Sequence, residues 1–570
     1  MDGARVRRHS AADRLREGAE REEQLGPILA PYEPPSYARP AAHRAAKRWP
    51  YVLWGLGIVT LFCLHFPHLL ADFPNHSPWM DYSKYTDEGW YGNAAIRHSL
   101  TGHWYLHGDF NPAVALPVWP LLLAGVFHFT GVSLAADRCL ALAFFGLDLV
   151  LAWFVVRTQA PRGMAFLAVT LLAASPFLWA FSRLGILESP LICFLLLSWL
   201  LALRLAEAPT RARTWMLVAI GFLVCLMVLT KTTAIFVLPS TLFLVARASH
   251  RWRTAVRAVG VCVAAAVLPW CGYYFLLARP HYRVDYHYLF EANYWPEPTT
   301  FAGWVGAFWW ALHGVIWVSP ILCAATVAVL LLTMVPKRRS EGSVVDREEA
   351  ESAVDLWRSP LTAASLLAIA GYILFIGWHD SPQPRYYQVV MYPLCFLLCV
   401  GMADLLSQRR RAMLRVGGAA AMAAGAVAST IGVIRIASYL RHPEYSFVEA
   451  ARGVARSIDA HPGPHRLLLS ISGDSIELIT GMPAICDDFG TWDLPYRIYN
   501  DQPGWFAEWN EIDPGTQADI ETLDSIHPVA SFPAFDDPDR NVLVLYRLDP
   551  LPAGRRTYSV QDEARENAGR

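Results

Sequence analysis

The chain has 570 residues, of which 54% are hydrophobic and only 17% charged, with a mean hydropathy of +0.28. A soluble domain carries about a quarter charged residues, so the composition excludes an ordinary soluble protein and points to a membrane protein. The near-neutral formal charge of −1 leaves no basic footprint for nucleic acid, and it is sorted by position: residues 1–49 hold 10 Lys/Arg and 7 Asp/Glu, whereas 442–570 hold 10 and 22.

Residues 1–49, rich in Arg, Glu, Ala and Pro, read as a disordered basic tail. They are too long and polar to be the n-region of a cleavable signal, since the first apolar run begins near Val52. A helix needs about 20 apolar residues to cross a bilayer. Such runs fall near 52–71, 136–156, 163–181, 189–206, 214–230, 233–248, 257–278, 314–335, 361–377, 387–406 and 416–437, which predicts an α-helical polytopic protein with eleven spans. A further run, 113–130, is interrupted by Pro117 and Pro120 and reads as a juxtamembrane or re-entrant helix.

With that run left out of the count, the loops on the side of the N-terminus hold 18 Lys/Arg against 8 on the other side. Basic residues stay on the cytoplasmic side, so the N-terminus is expected inside and the C-terminus outside, across a bacterial inner membrane facing the periplasm. Residues 72–112, 182–188, 279–300, 378–386 and 438–570 then gather on the external face. The longest internal loop, 336–360, reads as a charged linker without a Walker or Rossmann glycine signature. Nine of the ten cysteines lie in apolar segments and read as small hydrophobes, Cys486 stands alone in the hydrophilic part, and no His/Cys spacing suits zinc.

Five external features could carry chemistry. In "MDYSKYTDEGWYGNAA" the adjacent Asp87 and Glu88 precede Trp90 and Tyr91; a carboxylate at a lipid boundary gains proton affinity and can orient or deprotonate an acceptor. The competing reading makes Asp87 the cap of a helix starting near Gly89, with Glu88 in its first turn. In "FSRLGILESPL", Arg183 and Glu188 share a short turn, and Glu188 before Ser-Pro reads on its own as an ordinary acid at a helix N-terminus. In "HDSPQPRYYQVVMYPL", Arg385 sits at the mouth of a span beside Tyr386 and Tyr387, with Asp380 upstream; an Arg fork suits a phosphate, and snorkelling to headgroups is the alternative. Lys231 is either a second phosphate ligand or an interfacial anchor. The aromatic loop 279–300 is a substrate lid or an interfacial belt, and Asp148, inside a span, is expected to make a structural hydrogen bond with a neighbouring helix.

These motifs, over about residues 50–440, resemble the membrane-embedded glycosyltransferases of the GT-C class, similar to the protein O-mannosyltransferases and the bacterial aminoarabinose transferases of lipid A. The "DE" followed by aromatics and Ala, the helix "NPAVALPVWPLL" and the span "LAADRCLALAFFGLDLVLAWFVVR" carry the likeness. The resemblance implies that Asp87 is catalytic, with Glu88 and Glu188 as companion acids. It implies that Arg385, Lys231 and Tyr387 bind the donor phosphate, and that Trp90, Tyr91, Arg183 and Asp380 contact substrate. It further implies a polyprenyl-phosphate sugar donor, a lipid, glycan or protein acceptor, and no required metal or other cofactor. "NPAVALP" lacks the basic or His residue that some relatives carry there.

Residues 50–440 would form the catalytic membrane domain. Residues 441–570, with strand-like "HRLLLSIS", "HPVASFPAF" and "RNVLVLYRL", would form a small acidic external α/β domain. The alternative function is a carrier or flippase for lipid-linked sugar; no internal repeat supports it, and the polar residues gather on one face. A reporter fused to the C-terminus should be active only in the external compartment, and cytoplasmic activity would overturn the assigned parity.

Overall fold

The computed structural model describes residues 49–75, 77–106, 112–249, 251–284, 286–287, 300–335, 354–379, 383–408, 411–461, 465–487 and 492–558. The N-terminal tail through residue 48, Asp380, most of the aromatic loop after Arg283 and most of the 336–360 linker lie outside the described residues.

Every apolar run contains helix, the first of them only to Cys63, and the chain is a multi-pass membrane protein. Among the described residues, six helices are long and apolar enough to cross a membrane, or up to seven if one bent pair is a single span. Proline accounts for much of the difference from eleven, because it removes an N–H and clashes with the preceding turn. The run 163–181 becomes Arg162–Ala173 and Pro176–Phe181, with the Ser175 hydroxyl accepting the Leu178 N–H at 3.3 Å. The run 233–248 becomes a 3-10 turn, Thr232–Phe236, and Leu238–Arg247 with Pro239 in its first turn. Near 314–335 the expected single span is two helices, Phe301–Val318 and Pro320–Thr333, meeting at 104°.

The interrupted segment 113–130 contains the helices Pro112–Ala115 and Val118–Thr130. The second has 13 residues and rises about 20 Å at ~1.5 Å per residue, short of a ~30 Å hydrocarbon core. Its buried stripe Trp119, Leu123 and Phe127 recurs every four residues, while Leu121 and Phe129 are exposed. Leu123 and Phe127 pack with Ala95 and Ile96 of the helix Asp87–Thr101, so the short helix supports the segment carrying the "DE" pair. At the centre of the bundle, Tyr387–Ser407 is buried along nearly its whole length, which places the residues just before it at the mouth of the packed interior.

The C-terminal unit is α/β. Its five-stranded sheet contains β1 (Leu468–Leu469), β2 (Ala484–Ile485), β3 (Trp505–Trp509), β4 (Asp524–Pro533) and β5 (Val542–Pro550), in the order β2-β1-β3-β5-β4. β1 pairs in parallel with β2 and β3; β5 pairs antiparallel with β3 and β4. Alternate residues enter two cores, as a pleat requires. Leu468, Trp505, Ala507, Leu543 and Leu545 face the amphipathic helix Ser446–Ala460, whereas Leu469, Phe506 and Leu548 join Ile498 and Ile520 on the other side.

Two buried polar ties hold this unit to the first loop. The helix Ser446–Ala460 has no capping side chain from its own Tyr445; instead the Asp72 carboxylate accepts from the Phe447 N–H at 2.8 Å, the Val448 N–H at 3.3 Å and the Ser446 hydroxyl at 3.1 Å. Arg97 pairs with Asp474 at 3.0 Å with both side chains buried. Burial pushes the Asp72 carboxyl up to about 6, against the opposing pull of those hydrogen bonds and of Arg138. An unfolded Asp titrates near ~3.9. Because the folded value is the higher one, Asp72 contributes stability fully below about pH 4 and loses it as the pH rises through about 6. Asp72→Asn should therefore flatten the fall in melting temperature between pH 4 and 7, read by thermal unfolding of the two proteins in the same detergent.

Candidate active site

The helix of the first loop begins at Asp87, not near Gly89; Thr86 is its cap residue and makes no side-chain capping bond. Asp87 is therefore a first-turn residue and not the helix cap. Asp87 and Glu88 both occupy the turn that the helix dipole favours for acids. Successive helical residues point about 100° apart at 3.6 per turn, so the two carboxylates meet different partners.

Glu88 is a tie between elements. Arg138 donates to it as a fork, Nε to Oε1 at 2.8 Å and Nη2 to Oε2 at 2.6 Å, and the Gly185 N–H donates to Oε1 at 3.0 Å. The remaining Arg138 nitrogen reaches the carbonyls of Leu69 at 2.7 Å and Ala71 at 2.6 Å. One guanidinium thus fastens the loop helix, the segment after the first helix and the helix Leu134–Arg157.

Asp87 faces Arg385 instead, with Oδ2 lying 3.0 Å from Nη2. Its Oδ1 accepts the Thr86 hydroxyl at 3.0 Å. Arg385 stands in the 3-10 turn Pro384–Tyr386, directly before the central helix. Asp81 holds it from below, with Oδ1 accepting Nη1 at 2.5 Å and Oδ2 accepting the Arg385 backbone N–H at 2.8 Å. Glu188, the first residue of Glu188–Arg204, accepts Lys231 Nζ at 2.5 Å, and its Oε1 lies 3.9 Å from Arg385 Nε. Lys231 is the residue after Thr210–Thr230, and its ammonium lies 4.8 Å from the Tyr386 ring centre and 5.9 Å from that of Tyr91.

Asp81, Asp87, Glu188, Lys231 and Arg385 thus form one buried cluster drawn from four regions of the chain. Burial pushes the Asp87 carboxyl up; Arg385 and Lys231 oppose the shift, and Asp81 and Glu188 add to it. The result is a carboxylate with raised proton affinity beside two cations that can receive an oxyanion. No group of three or more His, Cys, Asp or Glu among the described residues could hold a metal ion.

Asp81 is the residue that sequence reasoning missed. It lies six positions before Asp87 in the same quoted segment, but its only signal is a partner 304 residues away. The structure does not bring every candidate to the cluster. The Tyr387 hydroxyl donates to the Ala311 carbonyl at 2.8 Å, between packed helices and away from the charged groups. The Arg183 guanidinium lies 4.3 Å from the Trp179 ring centre and donates to the carbonyls of Pro67 and His68, which makes it a clasp for the loop after the first helix. Tyr91 borders the cluster, and Trp90 meets it edge-on at 5.0 Å. Asp148 has no hydrogen-bond partner for either carboxylate oxygen among the described residues, contrary to the interhelical bond expected of it. Glu88→Ala should strip Arg138 of its buried partner and cost about 3–5 kcal/mol, as breaking a buried ion pair does; a melting temperature close to wild type would show that the fork is dispensable.

Comparison with known proteins reaches the same fold. Residues 112–273 match the family model of dolichyl-phosphate-mannose-protein mannosyltransferase. The crystal structure of ArnT from Cupriavidus metallidurans bound to undecaprenyl phosphate superposes with a TM-score of 0.58 at 14% identity, covering 88% of this chain and 98% of that one. The same protein in its apo state gives a TM-score of 0.55 at 14% identity with the same coverage. No curated protein sequence matches the chain. The helical bundle, the loop helix with its "DE" pair and the C-terminal unit together have the GT-C glycosyltransferase fold.

Proposed function

We propose that the chain is a glycosyltransferase that moves a sugar from a polyprenyl-phosphate donor to a hydroxyl of a lipid, glycan or protein acceptor at the external face of the membrane. The observation that carries this reading is the contact of Asp87 with Arg385, 3.0 Å apart in a buried cluster that also holds the Lys231–Glu188 pair. A transfer of this kind needs a base for the acceptor hydroxyl and cations for the departing phosphate, and both are adjacent here. Likeness to a fold seen with undecaprenyl phosphate bound supports the donor class.

In this mechanism the acceptor oxygen attacks the anomeric carbon from the side opposite the phosphate, and the configuration inverts. The new carbon–oxygen bond forms as the bond to the phosphate oxygen breaks, and the bonding electrons leave on the polyprenyl phosphate. Asp87 takes the acceptor proton. Arg385 and Lys231 neutralise the leaving phosphate, which binds by drawing these cations partly away from Asp87, Asp81 and Glu188. Asp81 and Glu188 hold the cations in place between turnovers and offset the cost of burying them. Tyr91 and Trp90 supply the wall that a sugar ring or prenyl chain meets.

Purified protein in lipid, given labelled polyprenyl-phosphate sugars and candidate acceptors, should release polyprenyl phosphate and glycosylate the acceptor. Sugar crossing the bilayer uncleaved would support a carrier instead. Asp87→Asn keeps size and shape but cannot take the proton, so turnover should fall about 10²–10⁴-fold with donor affinity largely kept. Activity within a few-fold of wild type would remove Asp87 from the catalytic role. Arg385→Ala should weaken donor binding more than Arg385→Lys, because Lys keeps the charge and loses the fork; wild-type donor binding by both variants would remove Arg385 from the phosphate site.

A further inference from the structure

The helix Gly473–Thr480 of the C-terminal unit lies directly against the first turn of the helix carrying Asp87. The Ser475 hydroxyl donates to the Thr86 carbonyl at 2.9 Å and accepts the Gly89 N–H at 3.2 Å. Those two backbone groups bracket Asp87 and Glu88. The first N–H groups of any helix lack partners within it, and Thr86 makes no side-chain capping bond. Ser475, 386 residues further along the chain than Gly89, does the work of a cap residue.

The approach depends on Gly89. A Cβ there would sit 2.1 Å from the Asp474 carbonyl carbon and the Ser475 nitrogen, so any side chain would push the two helices apart. Asp474 is in turn bound to the far end of the loop helix, accepting from Arg97 Nη2 at 3.0 Å and from Asn93 Nδ2 at 3.4 Å. The loop helix is therefore gripped at its first turn by Ser475 and along its length by Asp474. Asp87 lies inside that grip, between the Thr86 carbonyl and the Gly89 N–H that Ser475 holds. A displacement of about 1 Å at a reacting group can cost on the order of 10²-fold in rate.

We propose that Ser475 is a positioning residue for the transfer reaction: by capping the Asp87 helix, the C-terminal unit completes the active site. This rests on the transfer reading above. It assigns to the C-terminal unit a role inside the catalytic geometry.

The test uses the full-length protein in lipid with Ser475→Ala, compared with Arg466→Ala, an exposed change in the same unit. Amide hydrogen exchange over residues 86–91 and single-turnover transfer are measured on the same samples. Ser475→Ala is expected to speed exchange at Gly89 and to lower kcat about tenfold, the effect of a displacement of Asp87 well under ~1 Å. The KM for donor, the binding of polyprenyl phosphate and the melting temperature should stay close to wild type, and Arg466→Ala should change none of these. Unaltered exchange at Gly89 overturns the capping role whatever the substrate proves to be. Faster exchange with an unchanged kcat overturns positioning, and so does a fall in kcat matched by a lower melting temperature and weaker donor binding. A wild-type protein that transfers no sugar from any polyprenyl-phosphate donor refutes the transfer reading, while the exchange measurement still decides whether Ser475 caps the helix.

Discussion

The buried charge cluster around Arg385 is the constraint on which the rest of the site depends. A guanidinium taken out of water costs several kcal/mol unless it is paired and hydrogen-bonded. Arg385 is paired with Asp81 on one side and Asp87 on the other, with Glu188 close by. Each of those carboxylates comes from a different stretch of backbone from Arg385. Satisfying one buried cation therefore fixes the first loop, the start of Glu188–Arg204 and the mouth of the central helix relative to one another. Lys231 adds the end of Thr210–Thr230 through its bond to Glu188. The same arrangement places cations and carboxylates side by side, which is what the proposed exchange of partners with a donor phosphate requires.

The adjacent acids of the first loop illustrate how helical geometry divides labour. Asp87 and Glu88 share a turn and a chemical type, yet one meets Arg385 and the other meets Arg138. The fork from Arg138, with its two extra carbonyl contacts, makes Glu88 a structural tie. Asp87 has one cation contact and one hydroxyl, leaving it the freer of the two to exchange a proton. The resemblance groups both residues as site acids, and the partners separate their roles.

The membrane bundle and the C-terminal unit meet on the first loop, each supplying what the other lacks. Asp72 of the loop caps the helix Ser446–Ala460, and Ser475 of the C-terminal unit hydrogen-bonds the first turn of Asp87–Thr101. The short helix Val118–Thr130 fills the space beneath with Leu123 and Phe127, packed against Ala95, Ile96, Val448 and Leu478. The loop that carries the candidate acids is thus held by an apolar floor, two helix caps and two buried ion pairs, Arg97–Asp474 and Arg138–Glu88.

Hydropathy alone identified a polytopic helical protein, because a helix that faces lipid or packs in a bundle must be apolar over its whole length, and that is a local property. Local pattern also located the acidic α/β unit and three of its strands, β1, β4 and β5; β2, with two residues, and "WFAEW" of β3 lack an alternation long enough to read. Glu188, Lys231 and Arg385 were visible as charged residues at the ends of apolar runs, where charge is costly and needs a reason, and Asp87 and Glu88 as an adjacent acidic pair before aromatics in the first loop. Their partners were not. Asp81 is a cluster residue only because the chain returns 304 residues later, Ser475 is a cap only because a distant helix approaches a glycine, and Tyr387 turns toward Ala311 because of how two helices pack. Periodicity and composition report what each segment buries, whereas the choice among equally plausible polar partners depends on side-chain direction and on contacts hundreds of residues apart, which only the packed tertiary structure decides.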